Sequence, residues 1–184
     1  ASDFDTLVRY ADFAMYMAKH STKGMTQEFE LKSYQENFYL LSGQEELNRM
    51  LETGDVNFAM QPIVARSGEI YGYELLMRPH LETLRNISEL LHLARMQAKL
   101  PQIEALTWYS ALEWVQEHGK GAAPEARFFI NSIANVSLTF DMFTELESRY
   151  PQLLERLVVE ITEMERTEQH CLKHKIDVVH RWNC

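Results

Sequence analysis

Apolar positions recur with two periods along this chain, and the shorter one is clearest between Asn57 and Pro79. That stretch reads NFAMQPIVARSGEIYGYELLMRP, with apolar runs from Phe58 to Ala65 and from Ile70 to Met77. Ser67-Gly68 separates the runs, and glycine reaches backbone angles that other residues avoid, so the stretch predicts a β-hairpin. Side chains alternate faces along a strand, which puts Glu74, Leu76 and Arg78 on one face. A carboxylate and a guanidinium at the end of an apolar strand need a partner, a metal or a ligand, because an unpaired buried charge is costly.

The longer, helical period marks the flanking segments. Asp3 to His20 predicts a helix with an apolar stripe of Leu7, Ala11, Ala14, Met15 and Ala18. Lys19, His20 and Lys23 suit the negative end of its dipole, and Gly24 suits a stop. Met25 to Leu41 is mixed and reads as a linker that turns helical. Ser42 and Glu45 have capping-box spacing, which predicts a helix start there, with Leu47, Met50 and Leu51 on one face and an end near Gly54. Ser88 to Lys99 predicts another helix. Pro101 opens the next, which carries Ala105, Trp108, Tyr109, Leu112 and Val115 on one face and ends at Gly119. Arg127 to Ile133 reads as a strand with Phe129 and Asn131 on one face and Phe128 and Ile130 on the other. A helix from Asp141 to Tyr150 follows, then Pro151, a brief Leu153-Leu154 segment and a strand from Leu157 to Thr162. From Glu165 onward the pattern is helical, with Leu172, Ile176 and Val179 as the apolar face.

Alternating strands and helices favour a parallel sheet or barrel, an α/β fold. Asn131 and Glu160 lie about 30 residues apart, close to the roughly 31 per unit of a ~250-residue eight-unit barrel. The pattern supplies about four strands where such a barrel has eight, so the expectation is a partial barrel. The 184 residues allow one domain, or one domain and a fragment. Hydrophobic residues make up 46%, enough for a core, and the 27 acidic and 18 basic residues leave a net charge of -9. That charge disfavours a protein that wraps long nucleic acid, while leaving room for a small phosphate ligand held by local donors. No apolar run approaches the roughly 18 residues of a membrane span, and no signal peptide is recognisable. Cys171 and Cys184 are late and unpatterned, so they read as free thiols of a cytoplasmic protein.

Three predicted strands each carry a polar residue near the C-terminal end: Glu74, Asn131 and Glu160. In parallel α/β barrels these ends converge on the rim where active sites sit. Two carboxylates and an amide oxygen are hard donors suited to Mg²⁺, with room left for water and a substrate phosphate. By spacing alone, solvated or salt-bridged strand ends account for the same residues. His170 and His174 stand four apart, a spacing compatible with zinc, but no further ligand follows in register and a solvated helix face is the simpler reading. Trp108 and Trp114 fit helix packing better than base stacking. Lys175-Ile176-Asp177 falls inside a predicted helix and is assigned no role.

The segments FAMQPIV, YGYELLMR, FFINSI and LVVEITE, in this order and spacing, resemble the EAL-domain family. The resemblance covers about residues 45 to 184. It implies a barrel whose first strand runs antiparallel to the others, and a Mg²⁺- or Mn²⁺-dependent phosphodiesterase that opens cyclic di-GMP to linear pGpG. It implies Glu74, Asn131 and Glu160 as metal ligands and Glu163 as the residue that steadies a catalytic loop. Gln61, Leu76 and Arg78 become contacts to the dinucleotide, and an arginine fork suits phosphate. The signature alanine is Leu75 here, and the tryptophan common after the arginine is Pro79. The family's paired-aspartate and lysine motifs lie beyond Cys184, so this piece alone is expected not to turn over. A cyclic di-GMP-binding or dimerisation module without catalysis is the alternative. Residues 7 to 24 resemble the last helix of a GGDEF domain without its signature loop. The expected organisation is therefore a GGDEF remnant over 1–24, a linker and helix over 25–54, and the first half of an EAL domain over 55–184. Open strand edges in a half barrel predict a homodimer or aggregation if the chain ends at Cys184.

Overall fold

The computed structural model describes residues 4–21, 26, 28–37, 39–84, 86–123, 125–162 and 169–182. The chain forms two compact units, residues 1–49 with 81–98, and residues 50–80 with 99–184.

The first unit holds α1 (Phe4–Ser21), α2 (Leu31–Asn37), the start of α3 (Tyr39–Thr53) and α4 (Ile87–Met96). The packed face of α1 is not the expected stripe. Leu7 and Met15 are exposed, whereas Phe13 and Tyr16 are buried. Aromatic packing decides the face: Tyr10 stacks on Phe29 at 4.1 Å between centroids, and Phe13 meets Tyr34 edge-on at 5.2 Å. Rings bury more area than the alanines of the stripe, so they take the inside. The expected start at Ser42 also fails, because α3 begins at Tyr39 and Ser42 lies within it. A capping box acts only where the preceding chain is non-helical. α4 does carry a side-chain cap, with Asn86 accepting from the Glu89 N–H at 3.0 Å.

Glu46, one residue past the expected box, anchors the loop before α4. Its carboxylate accepts the backbone N–H groups of Glu82 at 2.9 Å, Thr83 at 2.9 Å and Leu84 at 3.3 Å. Burial pushes this carboxyl up, but those backbone bonds and the Thr83 side chain outweigh it and hold its pKa below the usual range. Glu46→Gln is expected to cost about 1 kcal/mol, since the site is partly solvated. A depressed carboxylate contributes stability above its unfolded pKa and loses it as pH falls through the folded one. Urea midpoints of wild type and variant should therefore differ near neutrality and converge only as pH falls below the ordinary glutamate range.

The second unit is built on the hairpin. β1 (Val56–Val64) and β2 (Ile70–Pro79) pair antiparallel, with Gln61 opposite Glu74. Gly68 closes the turn at φ +89, and its N–H donates to the Ala65 carbonyl at 2.9 Å. α5 (Leu100–His118), with Pro101 in its first turn, leads to β3 (Arg127–Ile133), which runs parallel to β2. α6 (Phe140–Arg149) and α7 (Pro151–Leu154) precede β4 (Leu157–Thr162), parallel to β3, and α8 (Gln169–Arg181) follows. The sheet order is β1-β2-β3-β4. This is the expected α/β arrangement, a partial parallel sheet whose first strand is antiparallel.

One face of the sheet, with Phe58, Leu75, Phe128, Ile130 and Leu157, is buried in a common core with α5, α6 and α8. Trp108 is fully buried there and meets Trp182 at 5.9 Å and Phe143 at 6.3 Å, as the packing reading expected. α8 is rotated from its expected face. Val178, Trp182 and Lys175 are buried, while Ile176 is exposed. A lysine takes an inward position because a carboxylate waits there, which apolar periodicity cannot register. The other face of the sheet carries the polar residues of the hairpin.

Candidate functional site

Register places the predicted residues on that second face. Directly opposed residues share a face, as do residues two apart on one strand. Gln61 faces Glu74, Glu74 faces Phe129, and Asn131 faces Glu160. Glu74, Asn131 and Glu160 therefore lie across three adjacent strands on one surface, with Asn131 one alternation nearer the C-terminal ends than Glu74. All three are half-buried. Asn131 Nδ2 donates to Glu74 Oε1 at 3.0 Å, so these two head groups touch. Burial pushes the Glu160 carboxyl pKa up, and the negative charge of Glu74 pushes it the same way. The two carboxylates are thus close enough to repel, and the amide between them presents Oδ1 as its remaining acceptor.

Two half-buried carboxylates and an amide oxygen form an oxygen-only set with surplus negative charge. That donor chemistry fits Mg²⁺ or Mn²⁺, because a divalent ion would cancel the repulsion. Among the described residues, no group of three or more His, Cys, Asp and Glu side chains is placed to hold a metal. Any ion here would complete its shell with water or ligand oxygens.

The remaining predicted residues spread outward from this cluster. Gln61 is exposed opposite Glu74, and Leu76 is half-buried one alternation further along β2. Arg78 lies four residues from Glu74, about 13 Å at the rise of a strand. Its Nη1 donates to the Met77 carbonyl at 3.1 Å and the side chain is exposed. Glu163 lies outside the described residues. His174, of the possible zinc pair, is exposed on α8.

A second polar cluster went unforeseen. Glu104, Ser132 and Lys175 are each 1% exposed, on the core face of the sheet. Glu104 Oε1 accepts from Lys175 Nζ at 2.8 Å, from Trp108 Nε1 at 3.0 Å and from the Ser132 hydroxyl. Ser132 offered one signal. The alternation that puts Asn131 outward puts its neighbour inward, and a hydroxyl in a core needs a partner.

The EAL domain family model matches residues 44–184, and the chain belongs to that family. Solved structures of EAL domains share the fold. The Xanthomonas citri FimX EAL domain, solved in complex with c-diGMP, is 15% identical with TM-score 0.66, over 82% of this chain and 60% of that one. Vibrio cholerae LapD S helix-GGDEF-EAL, bound to c-di-GMP, is 12% identical with TM-score 0.62, over 100% of this chain and 45% of that one. An EAL domain protein from Listeria monocytogenes is 17% identical with TM-score 0.56, over 76% of this chain and 56% of that one. The chain thus spans about half the length of these structures. A search of curated protein sequences returned no significant relative. No described helix is long and apolar enough to cross a membrane.

Proposed function

We propose that this chain is part of a metal-dependent cyclic di-GMP phosphodiesterase of the EAL family. Residues 1–24 would be the remnant of a preceding GGDEF domain and 25–54 the connection. Residues 55–184 would form the first half of the EAL domain. The observation that carries the reading is the meeting of Glu74, Asn131 and Glu160 on one surface, with Asn131 bonded to Glu74 at 3.0 Å. These residues come from strands far apart in sequence, and a divalent cation between them would relieve the repulsion of Glu160 by Glu74.

In this reading Glu74, Asn131 and Glu160 hold Mg²⁺ or Mn²⁺. Such a cation supplies an acidified water and counter-charge for phosphoryl oxygens. The Asn131 amide restrains the Glu74 carboxylate. Exposed Gln61 offers donors and an acceptor to a guanine edge or ribose, and Leu76 offers apolar contact. The Arg78 fork grips a phosphate. Glu163 would steady the loop that follows β4. Hydrolysis to linear pGpG would belong to the whole protein, in the cytoplasm, with the present piece inactive alone. The alternative is a cyclic di-GMP-binding or dimerising module without turnover.

Mn²⁺ titration followed by electron paramagnetic resonance tests the core of the proposal. Wild type is expected to bind, and Glu160→Gln or Asn131→Ala to weaken binding by about 10–100-fold, the scale of disturbed metal shells. Arg78→Ala should leave Mn²⁺ affinity unchanged and weaken cyclic di-GMP binding about tenfold or more. Absence of Mn²⁺ binding, or Mn²⁺ affinity indifferent to both Glu160→Gln and Asn131→Ala, removes the reading. Hydrolysis by the parent protein separates the enzyme from the binding module.

A further inference from the structure

The buried cluster behind the rim has a particular target. Lys175 Nζ donates to the Ile133 carbonyl at 2.8 Å and to Ser132 Oγ at 2.6 Å, besides its bond to Glu104. Glu104 Oε2 accepts the Ile133 N–H at 2.9 Å. The N–H and C=O of Ile133 belong to successive peptide planes. Side chains from two helices, α5 and α8, therefore hold both planes at the end of β3. Asn131 stands two residues before Ile133, on the sheet face opposite to the Glu104, Ser132 and Lys175 cluster.

We propose that Glu104 and Lys175 are positioning residues for the rim. By clamping Ile133 they fix the twist of β3 at its C-terminal end. That twist sets the Asn131 amide against Glu74 and opposite Glu160. Stability alone does not call for such a pair, because apolar residues of similar volume usually replace a buried ion pair at little cost. Apolar replacements would, however, take the Glu104 acceptor from the Ile133 N–H and leave the Ile133 carbonyl with the Val136 N–H alone. The pair is thus better matched to orienting a backbone than to filling space. Its consequence for cation affinity rests on the proposed function, while its effect on Asn131 does not.

The test joins nuclear magnetic resonance of the metal-free chain to Mn²⁺ titration. In the wild type, the Ile133 amide is expected to exchange as slowly as that of Ile130 in the strand interior, and the Asn131 side-chain amide to be protected. In Glu104→Gln/Lys175→Met, a folded chain is expected to lose the Asn131 protection and to bind Mn²⁺ about tenfold more weakly. Leu154→Ala, a core truncation in α7 ahead of β4, should lower stability and leave both readouts unchanged. A double variant that keeps Asn131 protected overturns the proposal. Should the double variant not fold, the wild-type comparison decides, and an Ile133 amide exchanging a hundredfold faster than Ile130 overturns it. If Asn131 responds as expected while the wild type binds no Mn²⁺, the cation reading fails and the positioning role stands.

Discussion

Lys175→Met is expected to remove roughly 3–5 kcal/mol of folding stability, the usual cost of breaking one side of a buried ion pair. The substituted chain would keep the Glu104 carboxylate 1% exposed among Trp108, Ser132 and Ile133, with its counter-charge gone. Methionine fills the lysine stem's volume, so little of the loss would come from a cavity. Against a net stability of about 5–15 kcal/mol, this is a large share. Adding Glu104→Gln removes the stranded charge and should recover a substantial part of the loss. The double-mutant cycle would then show strong coupling between the two positions. Urea unfolding of wild type, both single variants and the double variant measures it. A Lys175→Met loss below about 1 kcal/mol would mean that water reaches Glu104, since that is the scale of an exposed pair.

The same residue shows where reading the chain as a string stops. The strands are plain because each has a local signature. The apolar runs FAMQPIV, YGYELLMR, FFINSI and LVVEIT predict the strands, and alternation puts Glu74 with Leu76 and Arg78, and Asn131 with Phe129, on one face. The meeting of Glu74, Asn131 and Glu160 follows from parallel strands placed in register, a fold-level rule. Lys175 has no such signature. Its burial depends on Glu104, 71 positions away, and only tertiary contact makes a charged residue an inward one. α1 fails for a related reason. Its alanines and methionine make a clean stripe, but Tyr10 stacks on Phe29 and Phe13 meets Tyr34, rings from beyond the helix, and Phe13 and Tyr16 are the buried residues. The capping box at Ser42 is a sound local pattern in a place already helical, and Glu46 nearby binds the loop ahead of a different helix. Periodicity thus reports what neighbours in sequence do, and it is silent where the deciding partner is distant.

Gly72→Ala is expected to damage fold and rim together, with an overpacking cost of about 1–3 kcal/mol. Gly72 sits in β2 opposite Arg127 of β3. A Cβ there would lie 2.5 Å from the Arg127 carbonyl oxygen and 2.8 Å from Phe129 Cε2. The ring could turn aside, but the carbonyl belongs to the strand backbone and cannot leave without moving β3. Phe129 faces Glu74, and Asn131 follows it by two residues, so displacement at Gly72 would travel to the 3.0 Å bond between Asn131 and Glu74. Mn²⁺ affinity should therefore fall along with the unfolding midpoint. Gly68 in the same hairpin provides the contrast. Nothing lies within 4 Å of a Cβ built there, but its φ of +89 is one that other residues adopt at a cost. Gly68→Ala should cost about 1–2 kcal/mol through backbone strain and leave Mn²⁺ affinity at the wild-type value. Gly121→Ala, with open space and no unusual φ, should be close to neutral in both measurements. If Gly72→Ala lost stability yet bound Mn²⁺ like wild type, the spacing between β2 and β3 would not set the rim, and the geometric link between hairpin and site would be wrong.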